Sequence, residues 1–307
     1  MTRDFLIKVP EKEFRALLDR ETVLEHLKEH FVPRLQLIED VVNYGTNLIP
    51  RCMASSERKL KDVVLLTILL RQVVGMLDGV QVLLSSGAVQ AANLQLRALF
   101  EAAIYAEWML AGDAEKKALY YYVHNLRRRR KWALLTEAGS PPHASDFEKT
   151  MSASGVQITD EMRAMAKRHT ATIERALQGS RFASINKDFC DLKKLRRGEP
   201  PWYSPLGPKN LAELARSVGR ESLYILVYSV ASGLMHSSAY EEHVQFEPGR
   251  LKLQPIRQLQ NFPHMLLFSV SIAFDLYRRV LSEYRPGELA AFRRKYFENW
   301  QRGTRIS

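Results

Sequence analysis

The sequence predicts an all-α fold, a helical bundle with one small β-hairpin near 243–254. Three observations carry that expectation. Apolar residues recur at helical spacing through most of the chain. The two longest periodic stretches, 57–84 and 88–110, are interrupted only by the short Ser85-Ser86-Gly87 break, which suits an antiparallel helical hairpin. Strand-like alternation is confined to one place, where Val244/Phe246 and Leu251/Leu253 flank Pro248-Gly249, a dipeptide that suits a type II turn. No internal repeat is evident.

In chain order, residues 11–31 place Phe14, Leu17, Leu18, Leu24 and Leu27 on one helical stripe. A second helix starts near Pro33, at the first-turn position that proline tolerates. It carries Leu37, Val41, Tyr44 and Leu48 and is expected to stop at Pro50. Gly112-Asp113 separates the 88–110 helix from another at about 114–137. Residues 139–158 are rich in Gly, Ser and Pro and read as loop. Helices resume at about 159–178 and 184–196, and a second loop covers 196–210. Between these loops the apolar residues are few, so 139–210 reads as a polar helical insert without a core of its own. Helices at 209–218, 220–238, 260–283 and 286–300 complete the chain. The expected organisation is N-terminal helices over 1–56 and a main bundle over 57–307 that carries the insert.

With 307 residues, 46% of them hydrophobic and 26% charged, the chain has the composition of a soluble globular protein with a substantial core. Cys52 and Cys190 have no close partner spacing and fit neither a disulfide framework nor a zinc site. The N-terminus has scattered charges and no apolar core, unlike a signal peptide. The apolar runs at 63–70 and 222–235 fall short of the roughly 18 consecutive residues of a membrane span. The expectation is a cytoplasmic protein with no membrane partner. A net charge of +11 and a pI near 9.6 favour an anionic partner such as nucleic acid.

Two polar sets interrupt the apolar helices. One is Arg97-x3-Glu101, with Tyr105 four residues further on; the other is Tyr228-x3-Ser232-x3-His236. Residues four apart share a helix face. On a buried face a charge needs a partner, and a hydroxyl or imidazole needs a hydrogen bond. The sets supply one another's needs, which places them together on packed helices. In a catalytic reading His236 acts as general base or acid, and Arg97 stabilises a phosphate or its developing charge. Glu101 then holds Arg97, while Tyr228 and Ser232 orient the imidazole or the ligand. In a structural reading the same residues form an ion pair and its hydrogen-bond shell. No metal is expected: His236-x4-Glu241-Glu242-His243 gathers possible ligands, but the spacing matches no H-E-x-x-H arrangement.

The basic residues form clusters. Arg127, Arg128, Arg129, Arg130 and Lys131 follow three tyrosines and precede Trp132. Lys193, Lys194, Arg196 and Arg197 adjoin a loop with Trp202 and Tyr203, and Arg293-Arg294-Lys295 lies in the last helix. Arginine interleaved with aromatics suits single-stranded nucleic acid, through phosphate contact and base stacking. A tyrosine stripe packed in a core beneath a solvated basic face is the other reading. No Walker loop, G-x-G-x-x-G or G-x-S-x-G motif is present, which excludes the phosphate-binding enzymes built on strand–loop–helix frames.

An apolar helix with R-x3-E, followed much later by Y-x3-S-x3-H, resembles a widespread bacterial family of uncharacterised helical proteins. That family is similar in turn to the HEPN superfamily of helical bundles. The matching residues are Arg97, Phe100, Glu101, Tyr105, Tyr228, Ser232 and His236. The resemblance implies RNA binding or metal-independent endoribonuclease activity without a cofactor, in antiphage defence or as a toxin. It also implies a cognate protein partner or antitoxin, and a possible homo-dimer. One departure is evident. HEPN ribonucleases carry R-x4-6-H, and His236 has no arginine at that distance upstream. The spacing does occur as Arg20-x5-His26, Arg163-x5-His169 and Arg257-x6-His264. Two further readings stay open: a non-catalytic basic scaffold or sensor, and an enzyme acting on a small anionic ligand at Arg97.

Overall fold

The computed structural model describes residues 18, 20–137, 143–195, 198–229, 243–247 and 250–301. It divides into two compact units, one of residues 1–112 with 212–307 and one of 113–211. The fold is all-α, as the periodicity predicts.

In the first unit α1 (Arg20–His30) leads into α2 (Val32–Ser55), α3 (Leu60–Ser85), α4 (Val89–Leu110) and, late in the chain, α9 (Leu211–Ser217) and α10 (Phe262–Tyr284). Helices α2, α3, α4 and α10 pack against one another around Leu48, Leu66, Leu77, Leu99, Phe100, Val270 and Tyr277, all essentially inaccessible. The α3–α4 turn follows the hairpin expectation. Gly87 adopts φ +72°, and a Cβ there would meet a Val23 methyl at 2.2 Å, so the turn needs glycine for both conformation and space.

Three local features depart from the sequence reading. Helix α2 runs through Pro50 to Ser55 instead of stopping there. Proline removes one backbone bond, but Leu48 and Cys52 are fully buried on either side of it, and that burial holds the helix together across the gap. Within α3, Val63–Leu70 widens to π-helical bonding. Val64/Leu69 and Leu65/Leu70, all buried, then align at five-residue spacing, which lets a continuous apolar run face the bundle. Finally, α3 as a whole is the one described helix long and apolar enough to cross a membrane, with mean hydropathy 1.9 over its best window; half of that window is buried inside the protein.

Asp62, fully buried, ties the start of α3 to the end of α10. Its carboxylate accepts from the Lys59 backbone N–H at 3.0 Å and from the Tyr284 hydroxyl at 2.9 Å. Burial and that bond push the Tyr284 phenol far above its ordinary range. Close packing is also tested at Gly45, where an added Cβ would lie 2.1 Å from the Tyr277 hydroxyl oxygen and 2.7 Å from a Val74 methyl. Gly45→Ala is expected to destabilise the unit by about 1–3 kcal/mol through overpacking. Tyr277 is fully buried and its hydroxyl has no hydrogen-bond partner among the described residues. Tyr277→Phe should therefore be neutral or stabilising and should relieve part of the Gly45→Ala loss. Urea unfolding of the two single variants and the double variant measures both effects.

The second unit contains α5 (Ala114–Thr136), α6 (His143–Ala153), α7 (Asp160–Gln178) and α8 (Ala183–Leu195). Asp113 caps α5 by accepting from the Lys116 N–H at 3.0 Å. Two expectations are corrected here. The segment read as loop over 139–158 contains α6, and the insert has a core of its own. That core joins Tyr120, Val123 and Leu126 of α5 to Ile173, Leu177, Ile185 and Phe189. The sequence assigned α5 to the main bundle, which removed the helix that supplies nearly half of this core.

Near the end of the first unit, Val244–Glu247 and Arg250–Leu253 pair antiparallel, with Val244 opposite Leu253 and Glu247 opposite Arg250. Phe246 and Leu253 are exposed on this ribbon. The chain closes with α11 (Leu289–Lys295), and Phe292 and Trp300 pack against Tyr44 and Phe274.

Candidate functional site

Helix α4 presents Arg97, Glu101 and Tyr105 on one face, but half-buried rather than sealed. Arg97 reaches the segment Tyr224–Ser229, which is π-helical. Its Nη2 donates to the Tyr228 hydroxyl at 2.7 Å, and its Cζ lies 4.1 Å from the Tyr228 ring centroid. Tyr224 stacks on Tyr228 at 5.1 Å and stiffens that ring. Glu101 accepts from the Tyr105 hydroxyl at 2.5 Å. The structure thus brings Arg97 to Tyr228 and Glu101 to Tyr105. Ser232 and His236 lie outside the described residues, as do Glu241 and Glu242. Of the R-x4-6-H spacings, Arg163 is held by Glu148, His169 bonds to Arg129, and Arg257 donates to the Ser86 carbonyl at 2.6 Å.

An open pocket of about 190 Å³ lies beside this pair. Asn93 and Leu96 of α4, Leu226 and Val227 of the π-helical turn, Asn261 at the N-cap of α10, and His264 and Met265 within it surround the pocket. Its polar lining is amide and imidazole rather than carboxylate.

A deeply buried ion pair of the unit sits elsewhere, and sequence reasoning missed it. Glu107 is only 2% exposed and forms a two-pronged pair with Arg220, at 2.8 and 3.0 Å. Arg220 also meets Asp275 at 2.8 Å, and Arg279 approaches Glu107 at 3.7 Å. The Glu107 hydrogen bonds raise the Arg220 pKa still further above its ordinary value. Arg220 stands one turn before Tyr224, whose N–H donates to the Arg220 carbonyl at 2.9 Å, so this network fixes the start of the segment that carries Tyr228. Glu107 sits in the same apolar run as Arg97, two residues beyond Tyr105; only its long-range partners set it apart.

In the second unit the basic residues converge. Helix α5 presents His124, Arg127, Arg128, Lys131 and Leu135 at helical spacing, and α8 presents Asn186, Cys190, Lys193 and Lys194 in the same way. Together with Arg130, Trp132, Glu174 and Glu199 they line an open cleft of about 1100 Å³. Clusters about sixty residues apart in sequence therefore share one concave surface. Their roles differ. Arg127, 11% exposed, is locked by an ion pair with Glu199, a 2.6 Å bond to Asn186 and a 3.3 Å contact with Cys190 Sγ. Arg130 pairs with Glu174 at 2.6 Å, and exposed Arg129 turns to His169 at 2.7 Å rather than lining the cleft. Arg128 and Lys131 are exposed, with no carboxylate in ion-pair range among the described residues. Trp132, 62% exposed, adds a bare aromatic surface beside them. Arg196 and Arg197 lie outside the described residues.

Tyr120 and Tyr121 are taken up by packing within the unit. Tyr120 is buried in the core and donates to Asp188 at 2.6 Å, Tyr121 packs edge-on against Trp202, and Tyr122 packs on Phe182. Here the core reading holds for Tyr120, whereas Tyr122 stays 38% exposed.

His124, which sequence reasoning also missed, stands in the cleft wall against Phe189. Burial pushes its pKa down to about 4, and the Arg128 charge pushes in the same direction. Glu199 opposes that shift, whereas Arg127 adds to it. Because the folded value lies below the ordinary 6.5, the unfolded chain binds the proton more readily between those values. The stability that His124 contributes is present above pH 6.5 and is lost as pH falls toward 4. His124→Phe should flatten the acid-side decline of thermal stability in that window. Arg128→Ala should raise the His124 pKa in an NMR titration of the imidazole.

A two-unit helical protein with a cationic cleft and a separate arginine–tyrosine site is thus defined. The chain belongs to a family of unknown function, DUF5677, whose sequence profile matches residues 63–250. That stretch includes both polar motifs and the whole basic cleft. No curated protein and no solved structure matches the chain.

Proposed function

We propose that the protein binds single-stranded RNA in the cleft between α5 and α8. The observation that carries this reading is the lining: Arg127, Arg128, Arg130, Lys131, Lys193 and Lys194 stand against two lining carboxylates, Glu174 and Glu199, with Asp191 paired to Lys194 and Trp132 exposed beside them. Cations track a phosphate backbone, and a solvent-facing indole gives a base a surface to stack on. Arg127 serves as a fixed wall charge, while Arg128 and Lys131 meet the phosphates. Fluorescence anisotropy with a short single-stranded RNA tests this. Steeply salt-dependent binding that Arg128→Glu/Lys131→Glu abolishes is the expected result, and unchanged binding by that variant overturns the proposal.

The HEPN-like motif adds cleavage to this proposal, with Arg97 stabilising the phosphate, His236 transferring the proton, and Glu101, Tyr228 and Ser232 orienting them. Arg97→Ala and His236→Ala are expected to abolish RNA turnover while the fold persists. Turnover unchanged in both variants overturns the assignment of cleavage to this motif, and no turnover by the parent leaves binding alone, as a non-catalytic sensor or scaffold.

A second reading rests on the 190 Å³ pocket beside Arg97 and Tyr228, between the two motif helices. It is large enough for a single planar polar group, with Arg97 one helical turn from Asn93 to meet an attached phosphate. Thermal stabilisation by nucleoside monophosphates that Asn93→Leu removes would favour it over polymer binding.

A further inference from the structure

We propose that His26, Glu29 and His30 on α1 form a binding site for a zinc-class divalent transition metal. Their candidate donor atoms, one from each residue, all lie within 4.8 Å of one another, and all three side chains are exposed. The imidazole rings stand 4.5 Å apart at 63°, and the nearest Glu29 oxygen is 3.5 Å from His30 Nε2. Donors around a tetrahedral zinc, bonded at about 2.0–2.2 Å, sit roughly 3.4 Å apart. Small rotations of free surface side chains close the remaining distance.

The arrangement follows from spacing. His26 and His30 are one helical turn apart, and Glu29 lies on the same side, giving H-x-x-E-H. In one class of hydrolases the two histidines of this order hold zinc and the glutamate acts as general base; here the Glu29 oxygen lies close enough to the imidazoles to serve as a third donor. Here the triad is open to solvent, and no described residue excludes water from a reacting centre, so the chemistry it supports is capture rather than hydrolysis. Two imidazoles and one carboxylate select Zn²⁺, Cu²⁺ or Ni²⁺ over Mg²⁺ and Ca²⁺, which prefer all-oxygen shells.

The site has a structural consequence. Helix α1 has eleven residues, and Leu27 is its one fully buried side chain. Helices of that length are marginal alone. A metal joining positions 26 and 30 clamps a full turn of α1, next to Phe31, which packs on Phe262 at 4.4 Å.

Titration calorimetry with Zn²⁺ on the untagged full chain tests this. One tight equivalent is expected in the parent protein and none in His26→Ala/His30→Ala, with no response to Mg²⁺. Each single histidine variant should lose at least about 10-fold in affinity, the low end of what losing even an outer-sphere partner costs. Zinc should also slow amide exchange across 20–30 in the parent and not in the double variant. Absence of binding to the parent, or equal affinity in the double variant, overturns the site. All three side chains are exposed, so the variants test the metal rather than the fold.

Discussion

Replacing Glu107 with alanine is expected to destabilise the unit formed by residues 1–112 and 212–307 by about 3–5 kcal/mol, the usual cost of removing one partner from a buried ion pair. The size follows from burial: at 2% exposure Glu107 has no access to water, and Arg220 would keep its charge with only Asp275 to oppose it. Arg279 would lose the same carboxylate, and its Nε is already buried without a partner among the described residues. Glu107→Gln keeps the shape and one acceptor, so its loss should be smaller. Glu107→Leu with Arg220→Met should recover much of the stability, because apolar replacement of a whole buried pair is often neutral. Urea unfolding followed by circular dichroism measures all three. A Glu107→Ala loss below about 1 kcal/mol would show that the pair is solvated. A second readout links this network to the site: without it Arg220 no longer fixes the turn before Tyr224, and the Arg97–Tyr228 contact should loosen.

Reversing Arg128 and Lys131 to glutamate is expected to weaken RNA binding by at least about fifteenfold at ~0.15 M salt. Each contact to a single-stranded phosphate contributes about 0.7 to the slope of log affinity against log salt, or about 0.6 log units at that concentration. Two lost contacts give the stated factor and lower the slope by about 1.4. Repulsion from the new carboxylates adds to the loss. Trp132→Ala should leave the slope unchanged and weaken binding by roughly 5- to 150-fold, since stacking is worth about 1–3 kcal/mol per base. This contrast separates phosphate contact from base contact. Weakening by Lys193→Glu alongside unchanged binding by the α5 variants would move the interface to α8.

Most of the helices could be read from spacing alone. Predicted stretches such as 88–110, 114–137 and 260–283 are helices at Val89–Leu110, Ala114–Thr136 and Phe262–Tyr284 because apolar period and helix breakers are local signals. Pro50 misled, because burial of Leu48 and Cys52 outweighs one missing backbone bond. The π-helical turns were not visible either, since the same apolar run fits either winding until its neighbours select one. For the candidate site, the shared face of Arg97, Glu101 and Tyr105 on α4 and the residue types of the basic runs on α5 and α8 are apparent in the sequence. Which cations are held by carboxylates and which face solvent is not. That distinction depends on Glu174 and Glu199 arriving from other parts of the chain.

Composition and periodicity thus establish an all-α, strongly basic chain with arginine, lysine and tryptophan grouped on helix faces, because these properties belong to single helices. The fold alone decides that Arg127 is a wall and Arg128 a contact, that Glu107 rather than Glu101 is the buried carboxylate of α4, and that two distant basic runs share one cleft. Those outcomes depend on which helices meet and how much water each charge keeps, and both are set by packing between segments far apart in the sequence.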